Sequence, residues 1–183
     1  MRDAGTWIRH LSIAVAALSA LSSCGPQRNA FAPACPAPLL PLQLSDLTRY
    51  RAGAGATGKD LSELELQGRL TAINGDCSAG SKGQLNSTIQ ITMEMTRGPA
   101  LAGRRAEVQV FVAVSADSTI IDKQTYPVLV EFPANLDRVT LTSPPIDITL
   151  PVTAERTGAA YDIIAGFQLS PDELAANRRR QGR

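Results

Sequence analysis

A glycine-rich stretch, RAGAGATGKD at residues 51–60, contains the residue types that bind phosphate groups. Gly53, Gly55 and Gly58 have the spacing of the dinucleotide-binding fingerprint, and the same stretch matches a P-loop through Gly53, Gly58 and Lys59. In such sites the backbone N–H groups surround the phosphates, and the lysine neutralises part of their charge. The stretch therefore raises the hypothesis of a nucleotide site, which the flanking segments must support.

The segments beside these glycines do not provide the elements that a phosphate site needs. A P-loop follows a buried strand and begins a helix, because the helix N-terminus and the loop amides hold the phosphates. The preceding SDLTRYR is polar, and the following DLSELELQGRL has leucines at alternate positions, as in a half-exposed strand. Asp60 stands where the motif requires Ser or Thr as a magnesium ligand. We therefore expect an exposed flexible loop and no cofactor.

Two smaller groups of side chains could bind metal ions. Asp60, Glu63 and Glu65 could hold calcium, but no EF-hand pattern surrounds them, and a solvated loop and strand face is the favoured interpretation. Met93 and Met95 could bind a soft metal, but their alternation within GQLNSTIQITMEMTRG favours a place in the core. The sequence thus predicts no metal site.

The N-terminal residues have the pattern of a secretion signal. Arg2 and Arg9 make a basic start, and the uncharged, mainly apolar run that follows extends from residue 11 to residue 21. This run is too short for a helix that crosses a bilayer, which takes about 20 residues. We expect residues 1–23 to be a signal peptide that is removed on export.

The end of this run, Leu21-Ser22-Ser23-Cys24, resembles the lipobox of bacterial lipoproteins. The resemblance implies that Cys24 is acylated and becomes the first residue of the mature chain. Gly25 follows, not the Asp that signals retention at the inner membrane, and this implies the periplasmic face of the outer membrane. Several acyl chains on one cysteine give the stable attachment that a single chain cannot. The alternative is an ordinary secretory signal with an incidental cysteine.

The composition of the mature chain excludes several classes of function. Without residues 1–23 there are 160 residues, with 16 basic and 16 acidic side chains, and this balance argues against nucleic-acid binding. His10 and Trp7, the single histidine and tryptophan, leave with the signal. A Ser-His-Asp or Cys-His mechanism and the usual His-based zinc and copper sites are then impossible. We therefore expect a protein that is not an enzyme.

Two cysteines remain after the proposed lipidation of Cys24. Cys35 and Cys77 form an even pair in an oxidising compartment, so a disulfide is expected. The alternative is a redox-active pair, but reactive dithiols are usually close in sequence. The segment 24–42 contains the acylated cysteine and is rich in Pro and Ala, which predicts an extended tether between the membrane and the domain.

Apolar residues alternate with polar residues through most of the body, residues 43–178. Seven segments show this period of two, separated by Gly-, Pro- and Asn-containing turns: 64–70, 85–95, 108–114, 126–132, 139–141, 146–150 and 161–169. Each strand buries one face, so two sheets must cover each other. The pattern predicts an all-β, antiparallel, immunoglobulin-like β-sandwich. This prediction depends on strand number and alternation, because the tryptophan and inter-sheet disulfide of antibody domains are absent.

One short C-terminal helix is expected in SPDELAANRRR. Ser170 is a candidate N-cap, Pro171 takes the first helical position, and Glu173 completes a capping box. We expect Leu174 to pack on the sandwich edge. Residues 179–183 read as a basic tail; contact of its arginines with anionic lipid or a polyanion is the less favoured alternative.

Four phrases of the body resemble an uncharacterised group of small Gram-negative envelope lipoproteins: DLTRYR, MTRGPA, YPVLVEFP and GFQLSPDELAANR. The resemblance implies the same lipid anchor and β-rich body, and it brings no activity with it. The sequence therefore predicts a non-catalytic structural or adaptor module, bound to the membrane through its anchor and to an envelope protein partner. The alternative is a periplasmic carrier of a small apolar ligand, and a glycosidase-type enzyme with paired carboxylates is the third option.

Overall fold

The computed structural model describes residues 34–54 and 60–181, and it shows a mostly β protein with two sheets and a short C-terminal helix. Within these residues there are nine strands, not about seven: β1 (Ala37–Leu39), β2 (Asp46–Tyr50), β3 (Leu64–Ala79), β4 (Gln84–Arg97), β5 (Arg105–Ala116), β6 (Thr119–Glu131), β7 (Arg138–Thr142), β8 (Ile146–Pro151) and β9 (Tyr161–Phe167). The helices are α1 (Leu42–Ser45) and α2 (Pro171–Gln181), with 3₁₀ turns at Leu61–Glu63 and Gly158–Ala160. The two-sheet, β-rich prediction is confirmed.

The first sheet, sheet A, has the strand order β1-β9-β5-β6. β5 pairs antiparallel with β6 and β9, whereas β1 runs parallel to β9, with Ala37 opposite Asp162. The prediction of wholly antiparallel sheets is therefore wrong at this edge. β1 lies inside the segment 24–42 that we predicted as a tether, because a three-residue strand beside prolines carries no alternation signal.

The second sheet, sheet B, has the order β2-β3-β4, and two short strands complete its far edge. β7 pairs with one half of β4 and β8 with the other half. Ser143, Pro144 and Pro145 separate them, since proline cannot continue a hydrogen-bonded ladder. The Ser143 hydroxyl replaces part of that ladder by accepting the Ile91 N–H at 3.0 Å.

The core lies between the sheets and follows the predicted alternation. The strand residues expected to face inward are buried in β3, β4, β5 and β9, including Leu66, Ile91, Val110 and Ile163. The core has a large cluster and a smaller one around Leu85, Val114, Ala116, Leu150 and Tyr161. Ile148 packs against both clusters, so β8 joins them.

The C-terminal helix begins as predicted. The Ser170 N–H donates to Glu173 Oε2 at 2.8 Å, and the Glu173 N–H donates to Ser170 Oγ at 3.3 Å, which is a capping box. The helix continues to Gln181, so Arg179 and Arg180 of the predicted tail are helical. Among the described residues, neither helix has the length and apolarity that a bilayer crossing requires.

Candidate functional site

One side of the sandwich, the closed side, is where β1 and β2 lie and where the two sheets are joined covalently. Cys35, just before β1, forms a disulfide with Cys77 of β3, with the Cα atoms 5.7 Å apart. α1 connects the same two sheets between β1 and β2. The predicted disulfide is confirmed, and it joins the start of the folded chain to sheet B.

Polar contacts reinforce the closed side. The Asn177 side chain is only 2% exposed, and its amide donates to the Gln43 carbonyl at 2.9 Å and to the Asp46 carbonyl at 2.7 Å. Arg180 donates in turn to Asn177 Oδ1. Arg49 of β2 crosses to sheet A and donates to the Glu107 carbonyl at 3.0 Å. α2 is therefore attached to α1 and β2 through Asn177, whereas the predicted anchor, Leu174, is only half-buried.

The opposite side, the open side, lies between β6 and β8. Residues 119–125 of β6 are exposed, and burial begins only in the second half of the strand. A cleft of about 170 Å³ lies here between the two sheets. Its lining residues are Val112, Val114, Asp122, Gln124, Tyr126, Asp147, Ile148 and Thr149. The two valines are buried in the core, and the polar residues surround them.

The polar residues of the cleft on β6 form a chain of hydrogen bonds. The Tyr126 hydroxyl donates to Gln124 Oε1 at 3.2 Å, and Gln124 Nε2 donates to Asp122 Oδ2 at 3.4 Å. Burial, and then the charge of Asp122, raise the pKa of the Tyr126 hydroxyl. Asp147 on β8 accepts from the Thr88 hydroxyl at 2.6 Å.

Asp122 and Asp147 have no basic partner among the described residues. Each ion pair found in residues 34–54 and 60–181 involves other acidic side chains. Lys123 follows Asp122 directly, but successive strand residues face opposite sides of a sheet. Its ammonium lies 4.4 Å from the centre of the Phe111 ring, on the outer face of sheet A. By the same rule Asp147 lies with Thr88 on the outer face of sheet B, whereas Ile148 faces inward, so of the two carboxylates it is Asp122 that faces the cleft.

A second depression, of about 210 Å³, lies on the outer face of sheet B and has the opposite character. Its charges are paired across neighbouring strands: Arg69 with Asp46 at 2.8 Å, and Arg138 with Glu94 at 3.5 Å. The hydrogen bond and charge of Asp46 raise the pKa of Arg69 further. Arg180, which also lines this depression, donates to Thr48 Oγ1 at 3.3 Å and to Asn177 Oδ1.

Most residues singled out in the sequence take structural positions or lie outside the described residues. Cys24 lies outside them, as do residues 55–59 of the glycine-rich stretch, which include Gly55, Gly58 and Lys59. Gly53 lies in a turn with φ of 82°.

The two groups of side chains that could have bound metal ions lie in different parts of the fold. Asp60 accepts the Ser62 N–H at 3.0 Å, which lowers its pKa, and Glu63 pairs with Arg51 at 3.8 Å in a 3₁₀ turn before β3. Met93 and Met95 are fully buried in the core. Within the part of the chain that is described, no three His, Cys, Asp or Glu side chains come together as a metal site.

Sequence reasoning missed both Asn177 and the cleft. Asn177 is a polar residue in an arginine-rich helix, and only its tertiary contacts show its importance. For Asp122 and Gln124 the sequence does contain a signal, because a polar half of the strand precedes the apolar residues of β6. Comparison with protein-family models, curated proteins and solved structures gives no match for this chain.

Proposed function

We propose that this protein is a lipid-anchored envelope lipoprotein that serves as a non-catalytic structural or adaptor module. Acylated Cys24 would hold it at the periplasmic face of the outer membrane, as the lipobox resemblance implies. The confirmed disulfide is consistent with an oxidising compartment, where such bonds persist. An immunoglobulin-like connectivity of the two sheets stays part of this proposal.

The observation that carries the adaptor role is the exposed apolar surface of β6. Ile120, Ile121 and Leu129 are each more than half exposed. The register shift opposite Val114 and Ser115 makes Ile121 an extra residue in β6, and bulges of this kind redirect side chains. Ile120 and Ile121 are neighbours at the start of β6 and Leu129 lies near its end, so apolar side chains are exposed at both ends of this edge strand, and this exposure supports an interaction surface.

The carrier alternative receives less support from the same geometry. Ligand sites for small molecules usually have volumes of about 300 Å³ or more. The cleft between the sheets has about 170 Å³, and the valines at its base are packed into the core. A cleft of this size suits one side chain better than a whole apolar ligand.

Two experiments test the proposal. Metabolic labelling with a fatty acid should mark the wild-type protein and not a Cys24→Ala variant, and equal labelling of both would exclude the anchor. A photo-crosslinking amino acid at position 129 should capture a defined envelope protein in cells. The matched control is position 42, since Leu42 is also an exposed leucine but lies on the closed side. Equal capture from both positions would contradict an interaction surface on β6.

A further inference from the structure

We propose that Ile120 and Ile121, at the start of β6, contact the lipid bilayer to which the chain is anchored. This inference rests on the proposed lipid anchor at Cys24 and adds the orientation of the domain to it. It assigns the two ends of β6 to different partners, because Leu129, exposed near the other end of the strand, is left for an envelope protein.

The N-terminal segment enters the domain at one end of the sandwich, which we call the tether end. This end contains Cys35 and the turns at residues 80–83, 117–118 and 152–157. The disulfide to Cys77 holds the entering chain to sheet B. Ala34 passes so close to Gly158 that a Cβ there would collide with the Ala34 carbonyl oxygen. The point of entry is therefore fixed on the domain.

The two isoleucines lie beside this point of entry. One row of paired residues crosses all four strands of sheet A, and its members are Ala37, Asp162, Ser115 and Ile120. Since neighbouring strands are about 4.8 Å apart, Ile120 lies about 14 Å across the sheet from Ala37. Cys35 precedes Ala37 by two residues, so Ile120 and Ile121 are close to the level at which the tether joins the domain.

The proposed anchor keeps the tether end close to the membrane. Nine residues, 25–33, separate Cys24 from Ala34. A fully extended chain covers at most about 3.6 Å per residue, so the point of entry stays within about 36 Å of the acylated cysteine. At this range the bilayer is present at a high effective concentration. Two apolar side chains can then hold the domain against it, although they would bind a membrane weakly by themselves.

The isoleucines are presented in a form that suits insertion among lipids. Each is 52% exposed, and the transfer of such side chains out of water is favourable. Asp117 and Ser118, just before them, have φ of 50° and 62°, as the two-residue turn of a tight hairpin requires. The turn therefore places both side chains on an ordered strand that is paired with β5.

The charges of the tether end do not select anionic lipids. Its three turns contain two basic residues, Lys82 and Arg156, and two acidic residues, Asp117 and Glu155. Arg156 is also paired with Asp117 at 2.6 Å. Because these charges balance, we expect the contact to depend on apolar insertion and not on the headgroup charge.

The test uses the protein as cells make it, purified from the envelope with its disulfide intact and reconstituted into phosphatidylcholine vesicles. A photo-crosslinking amino acid is placed at position 121 or, as the matched control, at position 129, since Leu129 is also exposed on the same strand. We expect mass spectrometry to find a phospholipid adduct at position 121 and not at position 129. Equal adducts at both positions would overturn the proposal.

The lipid composition separates apolar insertion from electrostatic attraction. Vesicles with added phosphatidylglycerol should give the same adduct at position 121 as vesicles of phosphatidylcholine alone. An adduct that forms only with phosphatidylglycerol would show that the headgroup charge attracts the domain, and the inference would be wrong.

Substitution of the isoleucines provides a second arm, with the crosslinking residue at the exposed position 119. Ile120→Ser with Ile121→Ser should lower the phospholipid adduct about tenfold, because two half-exposed apolar side chains are lost. Leu129→Ser with Leu136→Ser removes exposed apolar surface beyond the other end of β6 and should leave the adduct unchanged. Unchanged denaturation midpoints confirm that the variants are folded. An equal adduct in the isoleucine variant and the wild type would contradict the proposal.

The mass of the same samples reports whether Cys24 is acylated, and this separates the inference from the proposed anchor. If Cys24 is acylated and positions 121 and 129 react equally, the anchor stands and the bilayer contact fails. If Cys24 carries no acyl group, the anchor fails, and the bilayer contact stands only if position 121 still forms the adduct.

Discussion

The closed and open sides of the sandwich differ in how they join the same two sheets. On the closed side the join consists of a disulfide, a connecting helix and two buried hydrogen bonds from Asn177. On the open side half of β6 extends past the cover of sheet B, and two carboxylates remain without a basic partner in the described chain. The covalent and buried polar links between the sheets are thus on the closed side, and we propose that the open side is the one that a partner contacts.

This distribution has a physical rationale. Polar groups that face a partner must be poorly paired in the free protein, because pairs formed within the chain would compete with binding. Such groups contribute little to stability, so the fold must be stabilised elsewhere.

Loss of the disulfide should weaken the closed side most. Replacing Cys35 and Cys77 by alanine removes a constraint across 42 residues of chain. On the loop-entropy model this lowers the free energy of unfolding by about 4 kcal/mol. Chemical denaturation of the oxidised wild type and the double variant measures the difference. Reduced wild type is the control and should match the variant; an unchanged midpoint on reduction would contradict the role of the bond.

Removal of the Asn177 amide should have the next largest effect. Asn177→Ala leaves the Gln43 and Asp46 carbonyls without this donor, and we expect a loss of about 2 kcal/mol in unfolding free energy. Arg178→Ala, an exposed neighbour on the same helix, should change stability by less than about 0.5 kcal/mol. Equal effects of the two substitutions would show that α2 is not attached through Asn177.

Neutralising the open side should leave stability almost unchanged. Asp122→Asn with Asp147→Asn removes charges that have no basic partner, so the unfolding free energy should stay within about 0.5 kcal/mol of the wild type. The same denaturation assay measures it. A loss above about 1 kcal/mol would mean that these carboxylates are structural, and the contrast between the sides would weaken.

The smallest effect concerns the ionisation of Tyr126. Its pKa should lie above the ordinary value of 10.0, chiefly through burial and secondarily through the charge of Asp122. Since the folded pKa is the higher one, the stability linked to this group is complete below pH 10 and is lost as pH rises through the folded pKa. NMR of ¹³C-labelled tyrosine should show a lower pKa in Asp122→Asn. No change would indicate that Asp122 does not affect the hydroxyl.

The sequence allowed prediction of those parts of the fold that local patterns determine. The alternation of Ile89, Ile91 and Met93 correctly placed one face of β4 in the core, and the capping box at Ser170 and Glu173 correctly placed the start of α2. Both depend on residues that are close in sequence. The disulfide was predictable as well, because only one pairing remained once Cys24 was assigned to lipid.

The features that the sequence did not predict depend on contacts between residues that are distant along the chain. β1 has three residues and no pattern of its own, and only its pairing with β9 makes it a strand. The cleft arises because sheet B does not cover the first half of β6, and the alternation of Asp122 and Gln124 cannot show where an opposing sheet ends. Asn177 is important only because Gln43 and Asp46 lie beside it.

The parallel pairing of β1 with β9 has a consequence for the order in which the chain folds. Ala37 lies opposite Asp162, so nearly the whole domain must be present before this edge of sheet A can form. Pairings between such distant residues are slow, because a long loop must be closed first. Cys35 and Cys77 both precede β4, so their oxidation requires none of the later strands. A disulfide formed before β9 is in place would hold the start of the chain beside β3, so β1 would already be near the position where β9 pairs with it.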